Sequence, residues 1–157
     1  MNYINSYRPA NSKDYDALLM LLPQLADFEI PIRRDAPDLW QGDAELLKSV
    51  LDKKTSVTFA DVAVDDNDII YGIILITIQE EMLSHRPSAH LEAIVVAPTA
   101  RGQGLGRRLL ERAEERVAEI GAKSLTLHVF ANNVRARSLY RAQDFEEEML
   151  RCIKWLD

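Results

Sequence analysis

The run Arg101-Gly102-Gln103-Gly104-Leu105-Gly106-Arg107-Arg108 lies between two periodic stretches. Before it, Leu91 to Ala97 is rich in strand-forming residues and is stopped by Pro98. After it, Gly104 to Ile120 carries Leu105, Leu109, Ala113, Val117 and Ile120 at helical spacing, with Gly121 as a natural C-terminal stop. Three glycines on alternate positions at a strand-to-helix junction let the backbone fold tightly and turn several N–H groups toward one point. The helix start adds about half a unit of positive charge there. Arg107 and Arg108 oppose that dipole at a cost of roughly a few tenths of a kcal/mol, which a bound phosphate would offset; the alternative is that they are simply solvated side chains. From Arg101 to Arg112 four arginines stand against Glu111 alone, a local charge of +3 in a chain whose net charge is −6.

Two common phosphate loops do not fit. A dinucleotide fingerprint needs a third glycine where Arg107 stands, and a Walker loop needs Lys followed by Ser or Thr after Gly106. A general nucleotide-phosphate binder is therefore disfavoured. A broadly nucleic-acid-binding surface is disfavoured by the acidic balance.

Working outward, Tyr3 to Arg8 has strand character, and Asn11 or Ser12 caps a helix carrying Tyr15, Leu18, Leu19, Leu22 and Leu25 on one face. Phe28 to Gln41, with Pro31 and Pro37, reads as a loop before a shorter helix bearing Leu46, Leu47, Val50 and Leu51. Ser56 to Val64 and Ile69 to Gln79 flank Asp65-Asp66-Asn67-Asp68 and form a hairpin. That acidic turn lacks the glycine and the distal glutamate of a calcium loop. Ser124 to Phe130 is a further strand, Asn132 or Asn133 caps a helix reaching about Ala142, and Glu146 to Leu156 is the last strand. The order β-α-α-β-β-β-α-β-α-β predicts one α/β domain over residues 1–157, with helices on both faces of a mixed sheet.

The loop resembles the pyrophosphate-binding turn of the GNAT N-acetyltransferase superfamily, in which Gln or Arg, two residues, Gly, one residue, and Gly or Ala recur; Arg101, Gly104 and Gly106 fill the pattern. Leu91 to Pro98 matches that family's entering strand, and Asn133, Ala136, Leu139, Tyr140 and Phe145 match its second cofactor segment. One departure is Asp144, where relatives commonly have glycine; Asp tolerates the left-handed conformation that the turn demands. The resemblance implies a central mixed, mostly antiparallel sheet of about six to seven strands flanked by four helices, and acetyl-CoA as acyl donor with no metal. It implies cofactor contacts from Ile94, Val95, Val96, Arg101, Gly102, Gln103, Gly104, Leu105, Gly106, Arg107, Asn133 and Tyr140. The acyl-pantetheine would lie along Ile94 to Val96 where two central strands splay apart, with the Val96 N–H on the thioester oxygen.

Transfer of an acetyl group to nitrogen needs a deprotonated amine, a polarised carbonyl and a proton for the departing thiolate. By the resemblance, Tyr140 is the general acid; packing on its helix face is the alternative. Strand alternation puts residues 90, 92, 94 and 96 on one face, making His90 and Glu92 neighbours opposite Leu91 and Val95. Glu92 is the first candidate for the base and His90 the second, with a salt-bridging or acceptor-binding role for Glu92 as the competing reading. His85 and His128 lack partners at metal-ligand spacing. By the resemblance, an acceptor pocket would involve Phe28, Glu29, Trp40 and Glu92, with the loop from Glu80 to Ser88.

The chain has 157 residues, 47% hydrophobic and 28% charged, and no apolar run near the roughly 20 residues that span a membrane. The start Met1-Asn2-Tyr3-Ile4 lacks a secretory pattern, so the expected location is cytoplasmic. Cys152, the single cysteine, reads as a buried strand residue. The partner expected is an amine acceptor, with no nucleic acid and no membrane, and a homodimer is left open. A non-catalytic acyl-CoA-binding or sensing domain of the same fold is the competing function.

Overall fold

The computed structural model describes residues 4 and 6–157. The expected first strand appears as β1, Ser6–Pro9, while Tyr3 and Asn5 lie outside the described residues. A turn of 3-10 helix at Ser12–Asp14 leads into α1, Tyr15–Leu21. Its start is a capping box: Asn11 accepts from the Lys13 N–H at 3.0 Å, and Asp14 accepts from the Asn11 N–H at 2.8 Å. Asp14 also takes two hydrogen bonds from Arg8, which hold its carboxyl below the usual range. Pro23 then tightens the chain into a 3-10 segment, Leu22–Ala26. After a loop with another short 3-10 turn comes α2, Gln41–Leu51.

The hairpin forms as the sequence indicates: β2, Thr58–Val64, and β3, Ile70–Glu80, are antiparallel. Asp65 Oδ1 accepts from the N–H groups of Asn67 and Ile69, and Asp68 takes a φ of 62°. β4, Pro87–Val96, follows, then α3, Leu105–Glu119, β5, Leu125–Leu127, and α4, Val134–Ala142. The sheet order is β1-β2-β3-β4-β5, antiparallel except for the parallel pair β4 and β5. Among the described residues no helix is long and apolar enough to cross a membrane.

Each face of the sheet has its own core. On one, Leu18, Leu22, Leu47 and Leu51 pack over Val62, Ile73, Leu75, Ala93 and Val95. On the other, Leu105, Leu109, Leu110, Ala113 and Val117 of α3 cover Ala63, Ile74, Ile76, Ala89 and Leu91. Burying each large aliphatic side chain contributes about 1.5–3 kcal/mol, so the stripe on α3 fixes that helix firmly to β3 and β4. This in turn sets where its first residues, the glycine turn, can stand.

Three expectations need correction. Among the described residues the sheet has five strands rather than six or seven, because Glu146 to Leu156 enters no strand ladder and is exposed throughout. β5 is limited to Leu125–Leu127 rather than Ser124 to Phe130, since its ladder with β4 ends at Leu91 and Leu127. Cys152 is exposed, not buried, since it lies in that unpaired terminal segment.

Candidate acyl-donor and acceptor site

The glycine turn divides its work by position. Gly102 and Gly104 have φ of 74° and 75°, a region that side chains strain to enter, and Gly104 stands at the N-cap of α3. Gly106 has ordinary helical geometry; a Cβ there would come within 3.1 Å of Leu139 Cδ2, so its role is to let α4 approach α3. α4 is held in turn by Asn133, whose Oδ1 accepts from the Ala136 N–H at 3.2 Å. Behind α4, Asp144 takes the left-handed φ of 64° that its place in the turn requires, and the Phe145 N–H reaches the Tyr140 carbonyl.

A cavity of about 350 Å³ opens between these pieces. Arg101, Gly102, Gly104, Leu105, Gly106 and Arg107 line it from the turn and α3, and Asn133, Arg135, Ala136, Leu139 and Tyr140 from α4. Ile94, Val95 and Val96 form its floor, and Gln24, Leu25 and Phe28 close it from the chain after α1. The floor is backbone without a strand on its β5 side, because β4 and β5 diverge after Leu91 and Leu127. Three arginines beside N–H groups at a helix start fit a pyrophosphate, and the unpaired strand edge fits an amide-bearing chain.

The cations are not all free to serve that end. Arg101 donates to Asp27 at 2.5 Å and to Gln24 at 3.0 Å, and that hydrogen bond, with the Arg101 charge, holds the exposed Asp27 carboxyl below the usual range. Arg107 pairs with Glu111 at 2.8 Å but still lines the cavity. Arg108 donates at 2.6 Å to the Ile4 carbonyl, so its placement is explained without a ligand, and the dipole argument rests on Arg107. Gln103, expected among the cofactor contacts, does not line the cavity; it reaches the Thr99 carbonyl at 3.4 Å.

Tyr140 is half-buried in the cavity wall, edge-on to Phe145 at 5.8 Å. Burial pushes its phenol up to about 12, so the group keeps its proton throughout the neutral range.

On β4 the simple alternation fails. Leu75 pairs with Ala93 but Ile76 pairs with Leu91, which makes Glu92 the extra residue of a β-bulge. Leu91, Ile94 and Val96 consequently belong to the α3 face, whereas Ala93 and Val95 belong to the face of α1 and α2. Glu92 therefore does not share a face with Ile94 and Val96.

Glu92 belongs instead to a polar group that includes residues not anticipated. His90 Nδ1 lies 2.8 Å from Thr126 Oγ1, and its ring packs on His128 at 4.7 Å, so His128 is not an isolated surface histidine. Burial lowers the His90 pKa, with Glu92 opposing and His128 reinforcing the shift. Asp43, in the first turn of α2, is pushed up to about 6, first by burial and then by the charge of Glu92. The only hint of Asp43 in the sequence is its place in a helical first turn, which is common for acids. Of the other expected acceptor residues, Phe28 lines the cavity and stacks on Phe130 at 5.7 Å. Trp40 packs against the first core, and Glu29 is exposed with its carbonyl bonded to Asn132. Neither lines the cavity.

The profile of the acetyltransferase (GNAT) family matches residues 23–145. The chain is 33% identical over 141 residues to the uncharacterized N-acetyltransferase YhfO of Bacillus subtilis (strain 168), covering 90% of this chain and 89% of that one. A crystal structure of a mutant BH1408 protein from Bacillus halodurans superposes with a TM-score of 0.80 at 18% identity, over 97% of this chain and 100% of that one. The structure of AAC(6')-Iy in complex with a bisubstrate analog, CoA-S-monomethyl-acetylneamine, superposes with a TM-score of 0.70 at 21% identity, over 97% of each chain. With its glycine turn, splayed strands and capped α4 in this arrangement, the chain belongs to the acetyltransferase (GNAT) family and is an acyltransferase.

Proposed function

We propose that this protein transfers an acetyl group from acetyl-CoA to a primary amine, of a small molecule or of a protein, by direct attack of the amine in a ternary complex. The observation that carries this reading is that one cavity is lined by the glycine turn, by Tyr140 and by the open edge of Ile94 to Val96. N–H groups of the turn, with Arg101 and Arg107, bind the pyrophosphate. The Val96 N–H donates to the thioester oxygen and stabilises the charge that builds there. Glu92 takes the proton that the amine must lose, directly or through water, as the C–N bond forms. Tyr140 donates its proton to the sulfur as the C–S bond breaks, and regains one from solvent. Asp43 adds a second carboxylate beside Glu92, which suits an acceptor that arrives as a cation. The solved structure of AAC(6')-Iy with its CoA-linked analog supports acetyl-CoA as the donor.

The decisive experiment measures acetyl-CoA binding by calorimetry and then CoA release against polyamines, amino acids, aminoglycosides and lysine peptides. Binding followed by release with at least one amine is expected. No binding at millimolar acetyl-CoA would sink the proposal, and binding without release across the panel would point to a sensing domain.

A further inference from the structure

Asp27 brings one carboxylate to two arginines of the donor cavity, Arg101 from the glycine turn and Arg135 from α4. Its Oδ2 accepts from Arg101 Nη1 at 2.5 Å and lies 3.8 Å from Arg135 Nη2. The other arm of Arg101 donates to Gln24 Oε1 at 3.0 Å, and Arg135 Nη2 also donates to the Asp27 carbonyl at 3.3 Å. Both terminal nitrogens of Arg101 are therefore turned to the chain after α1.

That chain is built to hold the carboxylate there. Pro23 tightens Leu22–Ala26 into a 3-10 turn, the fully buried Leu22 anchors the turn in the first core, and Asp27 ends it with its N–H on the Gln24 carbonyl at 3.1 Å. Beyond it Phe28 packs on Phe130, and the Glu29 carbonyl accepts from Asn132, next to the Asn133 cap of α4. Gln24 to Glu29 thus forms a strap between the glycine turn and the start of α4. The exposed Asp27 side chain is its ionic clasp.

A carboxylate and a phosphate oxygen compete for the same guanidinium N–H groups. The clasp is an exposed ion pair and therefore weak, whereas a pyrophosphate carries more charge and is backed by the N–H groups of a helix start. We infer, resting on the donor reading above, that Asp27 is an internal competitor for the donor's pyrophosphate: it latches Arg101 and Arg135 before the donor binds and gives up both when it does. Asp27 then sets donor affinity without belonging to the bound donor's contacts.

The test uses the full chain. Asp27→Asn keeps the size of an exposed side chain and removes its charge, so the variant should fold as the parent does. By calorimetry at low salt it should bind acetyl-CoA, and inorganic pyrophosphate, about fivefold more tightly, because no fraction of the molecules is latched against the ligand. S-acetylpantetheine, which has no pyrophosphate, should gain nothing from the substitution. In the wild type the Asp27 carboxyl lies below its ordinary range through its hydrogen bond from Arg101 and the charges of Arg101 and Arg135; followed by carbon NMR, it should rise as acetyl-CoA is added. Equal or weaker binding by the variant, a gain shared by S-acetylpantetheine, or a carboxyl that stays depressed in the loaded enzyme would each overturn the latch and leave the donor reading standing. No binding of acetyl-CoA by either protein would overturn that reading, and the latch with it. Should the variant misfold, the wild-type titration decides alone.

Discussion

Leu139 Cδ2 stands 3.1 Å from the point that a Cβ on Gly106 would occupy, so the α3 and α4 walls of the cavity meet at a glycine. Replacing Gly106 with alanine should gain about 1 kcal/mol of helix propensity and lose a comparable amount to crowding, leaving the melting temperature within about 5 °C of the parent. The displaced Leu139 neighbours Tyr140 in the cavity wall, so acetyl-CoA affinity should fall by about tenfold, or ~1.4 kcal/mol. Calorimetric titration alongside thermal unfolding separates the two effects. Unchanged affinity would mean that the α3 and α4 contact does not shape the donor site.

Asp61 is fully buried on β2, with its Oδ2 at 3.1 Å from the Nε atoms of both Arg112 and Arg116 on α3. Among the described residues only Arg112 is aligned to donate; Arg116 is an ion pair without a hydrogen bond, and Asp61 Oδ1 has no hydrogen-bond partner. Both guanidinium groups also lie against rings, Arg112 over Tyr7 and Arg116 over Phe59. Asp61→Ala removes the anion that pairs both of these half-buried cations to the sheet. A loss of about 3 kcal/mol is expected in urea unfolding at neutral pH. Asp61→Asn should lose less, because the amide oxygen can still accept from Arg112. Equal loss in both variants would assign the effect to packing rather than charge.

The raised carboxyl of Asp43 predicts a stability profile with an unusual sign. Its folded value of about 6 lies above the ordinary 3.8, so between those values the unfolded chain ionises while the folded one resists. Stability from this group is present in acid and is lost as pH rises through about 6. Asp43→Asn should therefore match the parent near pH 4 and exceed it at pH 7, by about 1 kcal/mol after discounting for partial solvent screening. His90 acts in the opposite direction, since burial keeps its imidazole neutral and acid costs stability. Comparing variant and parent at each pH cancels that contribution. A constant difference across the range would show that Asp43 is not perturbed as its burial beside Glu92 implies.

The parts of the site that could be read from the chain are those whose geometry is local. The positive φ of Gly102 and Gly104, the Asn133 cap and the left-handed Asp144 each depend on a few neighbouring residues. The acceptor side was illegible for a different reason. Glu92 becomes a bulge only through the pairing of Leu75 and Ile76 with Ala93 and Leu91, and no pattern within β4 announces that slip. Without it, alternation puts Glu92 with Ile94 and Val96, and Asp43 on a distant helix has no reason to be considered. The stretch from Glu146 to Leu156 has strand-forming residues but enters no ladder among the described residues, because strand propensity within a segment does not supply the edge it must pair with.

Tyr140 offers the sharpest test of the chemistry. Its hydroxyl costs the fold little to lose, because the ring packs on Phe145 and no hydrogen bond to the hydroxyl is present among the described residues. Tyr140→Phe should thus leave stability nearly unchanged and acetyl-CoA affinity within about twofold, while kcat falls by roughly 100-fold, the low end for losing a general acid. With the phenol pushed up to about 12, the parent should show no loss of rate from Tyr140 ionising at any pH below about 10. A donor thioester with a better leaving group should recover much of the variant's rate, since a weaker base needs less protonation as it departs. Equal loss of kcat and cofactor affinity would instead make Tyr140 a wall of the donor cavity and leave the departing sulfur to take its proton from water.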